Sequence, residues 1–106
     1  MKIIKVDNEL REVALEHLYK DIVYNWSNNV DHLVTMTEVI HEDDTCQRFR
    51  SSIRVEKPKS SEHFYIICNK IGQESRYPIS DLEDFKCTYM LMLNNIKSAN
   101  EEDLIV

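Results

Sequence analysis

The sequence predicts an α+β domain, a small antiparallel sheet of three to five strands with two helices packed on one of its faces. Two amphipathic stretches with helical spacing stand near the two ends of the chain, and several short alternating or β-branched stretches stand between them. The predicted order is (β)-α-β-β-β-(β)-α. Strands joined by short polar turns pair antiparallel, and the flanking helices can bury their apolar faces together on one side of the sheet.

The first predicted elements are a short strand and a long helix. Isoleucine and valine at positions 3–6 indicate an opening strand. Asp7 or Asn8 suits the N-cap of a helix that runs to about Ser27. At about 100° per residue, one broad face of this helix collects its apolar side chains. They are Ala14, Leu15, Leu18, Tyr19, Ile22, Val23 and Trp26.

The middle of the chain predicts a hairpin. Val30–Ile40 is rich in β-branched residues and threonine, which is typical of a strand, and His41–Asp44 is a polar turn. Cys46–Glu56 alternates most clearly, so its odd and even positions point to opposite faces of the sheet. One face takes Phe49, Ser51, Ile53 and Val55, and the other takes Arg48, Arg50, Ser52 and Arg54.

Two further strands are predicted after the loop Lys57–Ser61. His63–Ile71 is apolar on both faces, which is typical of a central strand. Asn69–Glu74 contains the single glycine and indicates a turn. Arg76–Ile79 is predicted to be an edge strand, because Pro78 has no N–H to donate to a neighbouring strand.

A second helix is predicted from a capping box of Ser80 with Glu83 to about Lys97. Its main face holds Leu82, Phe85, Tyr89, Met92 and Ile96, while Met90, Leu91 and Leu93 widen the apolar band. A band this wide indicates a helix that is central to the core or partly an interface. A homodimer through Tyr89, Met90 and Leu93 is therefore a secondary hypothesis.

Length and composition predict a single domain over residues 1–106, with a flexible acidic tail at 98–106. Apolar residues at 42% and charged residues at 30% are globular proportions. The chain holds no apolar run of roughly 20 residues that would span a bilayer. The N-terminal segment lacks the apolar core of a signal peptide, and three widely spaced cysteines do not suggest a disulfide framework. We therefore expect a cytoplasmic protein without a membrane partner.

Charge is distributed unevenly along the chain. Five of the thirteen basic residues lie within Arg48–Lys59, which carries +4, so the rest of a chain of net charge −6 carries −10. Arginines at positions i, i+2 and i+6 of a strand align their guanidinium groups, which suit phosphates or carboxylates. The alternative is a solvated sheet face on which these arginines pair with Glu or Asp of neighbouring strands. The low pI of about 5.1 disfavours direct nucleic-acid binding.

Residues that could support catalysis or metal binding are few. The turn Glu42, Asp43 and Asp44, next to His41, offers oxygen ligands but lacks the spacing of a calcium loop. No Cys-x-x-Cys pair predicts a zinc site among the cysteines and histidines. A nucleophilic cysteine would need Cys46 to meet His41 or His63. We expect no enzyme activity, no metal and no cofactor.

These observations favour a non-catalytic binding or inhibitory accessory protein that occludes a macromolecular partner, which we expect to be a protein. In size and composition the chain resembles phage accessory or anti-defence proteins and immunity proteins that cap a toxin. The expected contact residues are Arg48, Arg50 and Arg54, with Glu42, Asp43 and Asp44 on the neighbouring turn.

Two alternatives stay open. A nucleic-acid-directed protein would either bind through the Arg48, Arg50 and Arg54 strip or mimic DNA through acidic faces such as that of Glu9, Glu12 and Glu16. A small enzyme is the second alternative.

Overall fold

The structure, a computed structural model, is described over residues 1–26, 32–58 and 63–104. Over these ranges the order of elements is β-α-β-β-β-β-α, which confirms the predicted α+β class. The predictions that involve the side chain of Trp26, the helix end at Ser27 and the loop residues 59–61 lie outside the described part. The elements are β1 (Lys2–Asp7), α1 (Glu12–Trp26), β2 (His32–Glu42), β3 (Arg48–Lys57), β4 (Phe64–Lys70), β5 (Gln73–Ile79) and α2 (Leu82–Lys97), followed by a 3-10 turn at Glu101–Leu104.

The sheet has the strand order β1-β2-β3-β4-β5, and every neighbouring pair is antiparallel. Strands β2 to β5 form a meander, whereas α1 connects the neighbours β1 and β2. The edge position predicted for the strand that holds Pro78 is confirmed, because β5 lies at one end of the sheet. Helix α2 packs across β3, β4 and β5, and α1 packs beside it.

Alternation along β3 is as predicted. Ser51, Ile53 and Val55 are buried beneath the helices, while the residues between them are partly exposed on the opposite side. We call that opposite side, which faces away from both helices, the open face. A register shift in β2 between Thr35 and Thr37 leaves Met36 as an extra residue, and both Met36 and Thr37 are buried.

The core lies between the sheet and the two helices. An aromatic cluster joins both helices to the sheet, because the rings of Tyr19, Phe64 and Phe85 lie with centroids 5.6–6.1 Å apart in tilted or edge contacts. The other buried hydrophobic side chains of this core are Leu15, Ile22, Met36, Val39, Ile53, Val55, Ile66, Cys68, Ile79, Tyr89, Met92, Leu93 and Ile96.

Helix α1 begins later than the sequence predicts, since neither Asp7 nor Asn8 is its N-cap. The first intrahelical bond runs from Leu15 N–H to the carbonyl of Arg11. Asn8 instead takes a left-handed conformation, with φ of 58°, and its side-chain amide donates to the carbonyl of Met36 at 2.8 Å. An asparagine tolerates this conformation, and its side chain is already used by β2.

Next to Asn8, a buried hydroxyl pair joins β2 and α2 and bonds to the chain that enters α1. Thr37 Oγ1 donates to the carbonyl of Asn8 at 3.0 Å, so the Tyr89 hydroxyl must donate to Thr37 Oγ1 at 2.7 Å. The oxygen of Tyr89 in turn accepts from the N–H of Leu10 at 2.8 Å. We call Asn8, Leu10, Thr37 and Tyr89 the Tyr89 network. It ties the chain entering α1 to the buried face of the sheet.

The capping box predicted at Ser80 and Glu83 is wrong by one residue. Asp81 is the N-cap of α2 and its carboxylate accepts from the N–H of Asp84 at 2.8 Å. The carboxylate of Asp84 reaches back to the N–H of Ser80 at 3.0 Å. Two carboxylates thus occupy the positive end of the helix dipole, and the predicted end of α2 at Lys97 is confirmed.

The chain after α2 returns to the sheet. Asp103 pairs with the Lys70 ammonium at 3.2 Å, and its carbonyl accepts from the side chain of Gln73. The N-terminal amine of Met1 lies 3.7 Å from the carboxylate of Glu101. These contacts hold part of the segment for which the sequence predicts a flexible acidic tail.

We predict that Tyr89→Phe lowers the free energy of unfolding by about 1–3 kcal/mol, because it leaves the partly buried N–H of Leu10 without its acceptor and the buried hydroxyl of Thr37 without its donor. Urea unfolding followed by circular dichroism measures this change. Tyr77→Phe, on a half-exposed ring at the sheet edge, is the control and should change stability by less than about 0.5 kcal/mol. Equal effects of the two substitutions would contradict a structural role for the network.

Candidate functional site

The arginine strip lies on the open face. Arg48, Arg50 and Arg54 alternate along β3 with residues whose side chains point towards the helices. Each of the three has a carboxylate partner on another strand, which is β2 for Arg48 and Arg50 and β5 for Arg54. A fourth pair, from β5 to β3, joins the same surface. The pairs are Arg48–Glu42 at 3.5 Å, Arg50–Glu38 at 3.3 Å, Arg54–Glu74 at 3.0 Å and Arg76–Glu56 at 2.9 Å.

Two of these arginines also cover an apolar side chain. Ile67 stands on the open face, directly between Arg54 of β3 and Arg76 of β5 in the strand register, and only 1% of its surface is exposed. The guanidinium of Arg76 lies 5.3 Å from the ring centroid of Tyr65. The stems and charged groups of these arginines therefore shield the open face from water. The strip acts first as part of the sheet's own structure.

The acidic turn is also engaged within the protein. One carboxylate oxygen of Asp43 accepts from the N–H and the hydroxyl of Thr45, at 2.9 and 2.7 Å, and from the N–H of Gln47 at 2.9 Å. The Thr45 hydroxyl is the main cause that holds the pKa of Asp43 below its usual value. Glu42 pairs with Arg48, and Asp44 is the exposed member of the turn. This geometry closes the β2–β3 hairpin.

His41 is not on the polar turn, as the sequence suggests, but in β2 with its ring fully buried against the end of α2. Neither ring nitrogen has a hydrogen-bond partner within the described residues. Burial lowers the pKa of His41, and the nearby carbonyls of Ile96 and Lys97 oppose that shift only in part. A neutral, buried ring of this kind is a packing residue.

The residues proposed for a nucleophilic site are not brought together. His41 pairs in register with Phe49, whereas His63 precedes β4 at the opposite end of the sheet. At about 3.3 Å per residue, more than about 20 Å separates them. Cys46 is exposed in the hairpin turn. Within the described residues, no group of three or more His, Cys, Asp or Glu side chains could hold a metal ion.

Negative charge is concentrated on the helical layer, by which we mean residues 8–26 and 80–104. This layer holds ten acidic and four basic side chains. Within the rest of the described chain, seven acidic and eight basic side chains nearly balance. The net charge of −6 is therefore a property of the helical side of the molecule, not of the sheet.

A groove of about 1090 Å³ lies in the helical layer, between the start of α1 and the outer side of α2. Its apolar lining includes Leu10, Met90 and Leu91, of which Met90 is 47% and Leu91 70% exposed. We call this the helix groove. Its lining residues are Glu9, Leu10, Arg11, Glu12, Leu15, Glu83, Lys86, Cys87, Met90, Leu91, Leu93 and Asn94.

Ion pairs stand at both ends of the helix groove. At one end the ammonium of Lys86 contacts Glu83 and Glu12 at 3.1 Å and Glu16 at 3.4 Å, so three carboxylates share one cation. The Glu83 and then the Glu12 carboxylate raise the pKa of Lys86, which stays protonated. At the other end Lys97 pairs with Glu9. The apolar surface lies between these two pairs.

The predicted homodimer residues separate into two groups. Tyr89 and Leu93 are buried in the protein's own core, while Met90 is exposed in the helix groove. The homodimer stays a prediction, and on this helix it would depend on Met90 and Leu91. The sequence indicated one wall of the helix groove through the wide apolar band on α2. The other wall, to which Leu10 belongs, could not be predicted, since it depends on where α1 begins.

Comparisons with protein-family models, with curated proteins and with solved structures found no match to this chain. Within the described residues, neither helix has the length and apolar character that crossing a membrane requires.

We predict that Arg54→Ala destabilises the fold more than Arg50→Ala does. Arg54 is 28% exposed and shields Ile67, so its loss should lower the free energy of unfolding by roughly 1–2 kcal/mol. Arg50 is 70% exposed, and its loss should cost about 0–1 kcal/mol. Urea unfolding of both variants measures the difference. A larger effect of Arg50→Ala would contradict the shielding of Ile67.

We predict that the protein loses stability as the pH falls, because of His41. In the unfolded chain the imidazole of His41 is protonated near pH 6.5, whereas in the folded protein its pKa is lowered and protonation requires a lower pH. The unfolded state thus binds more protons as the pH falls below 6.5, and stability falls with it. As the pH is lowered from 7 to 5, the free energy of unfolding of His41→Leu should therefore rise relative to that of the wild type. Urea unfolding at a series of pH values measures this difference. His17→Leu, at an exposed histidine, is the control, and the same relative rise there would contradict the assignment.

Proposed function

We propose that this protein is a non-catalytic binding protein that covers a surface of a macromolecular partner and so inhibits or adapts that partner. The partner we propose is a protein. The surface that supports this proposal is the helical layer rather than the arginine strip. We propose that it is a cytoplasmic accessory protein of the phage anti-defence or toxin-immunity type.

The observation that carries the proposal is the contrast between the two faces. On the open face, Arg48, Arg50 and Arg54 each pair with a carboxylate of the sheet. A partner there would first have to replace existing ion pairs. On the helical layer, Met90 and Leu91 are exposed beside carboxylates that outnumber their cations. Exposed apolar side chains with a charged rim are typical of a protein interface.

Mimicry of nucleic acid is the second candidate function, and the ten acidic side chains of the helical layer favour it over direct binding. A mimic would compete with duplex DNA for a DNA-binding protein. Its affinity would fall steeply with salt and depend little on Leu91. If the protein instead binds its partner through apolar contacts, Leu91→Asp should lower the affinity, and that affinity should depend less on the salt concentration.

We predict that Leu91→Asp abolishes capture of the partner. The immobilised wild-type protein should retain one protein in stoichiometric amount from an extract of its native host. The Leu91→Asp variant should not retain it, because a carboxylate buried at this position removes the apolar contact on which we expect docking to depend. Quantitative mass spectrometry of the captured material measures this. An assay of the captured protein's activity, with and without added wild-type protein, then measures occlusion.

Two variants on the open face are the matched controls. Leu33→Asp changes an exposed leucine of β2, and Arg50→Glu reverses one charge of the strip. Both should retain the partner, with circular dichroism confirming that all variants are folded. Loss of capture with Arg50→Glu and not with Leu91→Asp would transfer the site to the strip. Equal capture by all variants and by an empty matrix would reject the binding function.

A further inference from the structure

The helix groove has the form of an unfilled position for a third helix. It runs along α2 from Glu83 to Asn94, which is about 17 Å or three helical turns. Its other wall is the chain from Glu9 to Leu15. A helix laid between two helices can place its side chains into the spaces between theirs.

The backbone around the groove favours a helical occupant over an extended one. The walls are α2 and the chain that runs into α1, so none of the lining residues belongs to a strand and the groove offers no strand edge. An extended peptide would bury N–H and C=O groups there without partners. A helix satisfies these groups internally and presents apolar side chains at i, i+3, i+4 and i+7.

The charges around the groove favour a basic occupant. Glu12 and Glu83 share the single cation of Lys86 with Glu16, and their side chains are 74% and 79% exposed. The lining also includes Arg11, but the helical layer as a whole has a large excess of carboxylates. Lys or Arg on the flank of an occupant would reach Glu12 and Glu83 and complete the pairing that Lys86 leaves incomplete.

A second copy of this chain does not suit the groove. An isologous contact through this surface would bring the two acidic helical layers together, and like charges across an interface disfavour association. The same charge disfavours nucleic acid and anionic membranes.

We propose that the helix groove binds an amphipathic, basic α-helix of a partner protein. The apolar stripe of that helix packs on Leu10, Met90 and Leu91, and its Lys or Arg residues pair with Glu12 and Glu83. This inference rests on the proposed binding function and specifies the chemistry of the partner.

The test uses a synthetic peptide of 18 residues with Leu at i, i+3, i+4 and i+7 and Lys and Arg on both flanks. Its affinity is measured by fluorescence anisotropy, and its position by amide NMR shifts of the full-length protein. Binding should shift the signals of Leu10, Met90 and Leu91. Leu91→Asp should weaken it at least about tenfold, whereas Leu33→Asp should leave it unchanged.

A charge exchange separates specific pairing from general attraction to an acidic protein. The double variant Glu12→Lys with Glu83→Lys should lose affinity for the basic peptide and gain affinity for a peptide in which Glu replaces every Lys and Arg. A basic peptide with the same composition but a scrambled apolar pattern should not shift the signals of Met90 and Leu91. Equal binding of the scrambled peptide would overturn the proposal.

Failure of this inference can be distinguished from failure of the binding function. If the native partner is captured through Leu91 but the basic helical peptide does not bind, the helical layer is an interface and the basic-helix assignment is wrong. If the peptide binds while neither the wild type nor any variant captures more protein than an empty matrix does, the groove accepts the helix but the proposed binding function fails.

Discussion

The hydroxyl of Tyr89 is the contact on which the arrangement of the helical layer depends. It joins α2 to Thr37 of β2 and to the N–H of Leu10, while Thr37 donates to the carbonyl of Asn8. All of these groups are at least partly removed from water, so leaving one of them unpaired would cost more than the bond itself contributes. The network fixes where the chain leaves β1 and where α1 can begin. The position of Leu10, and with it one wall of the helix groove, follows from that constraint.

The open face and the helical layer differ in how their charges are paired. On the open face, arginines and glutamates from different strands form cross-strand pairs, and the pair that includes Arg54 also shields Ile67. On the other side, the helices cover the core but carry an excess of carboxylates that their lysines do not balance. Because paired charges attract a partner less than unpaired ones do, the helical layer is the side from which a partner of opposite charge would be attracted over a distance.

The elements that depend on short-range pattern were predictable. Alternation placed Ser51, Ile53 and Val55 on the buried face of β3, and Pro78 placed its strand at the edge of the sheet. Predictions failed where a distant partner decided the outcome. Asn8 has the chemistry of a helix cap but its side chain bonds to β2, and His41 lies among polar residues in the sequence but is buried against α2. The clustering of arginines was correctly recognised, yet a count of charges along the chain cannot show which glutamates lie opposite them.

The sequence by itself determined the α+β class, the antiparallel pairing, the two helices and the excess of negative charge, because periodicity and composition act over a few residues. Only the tertiary structure decided which charges are paired and which apolar side chains stay exposed. Met90 and Leu93 belong to the same apolar band of α2, but Met90 is 47% exposed whereas Leu93 is buried in the core. The reason is geometric: the position of α1, set by the Tyr89 network, determines how much of that band is covered.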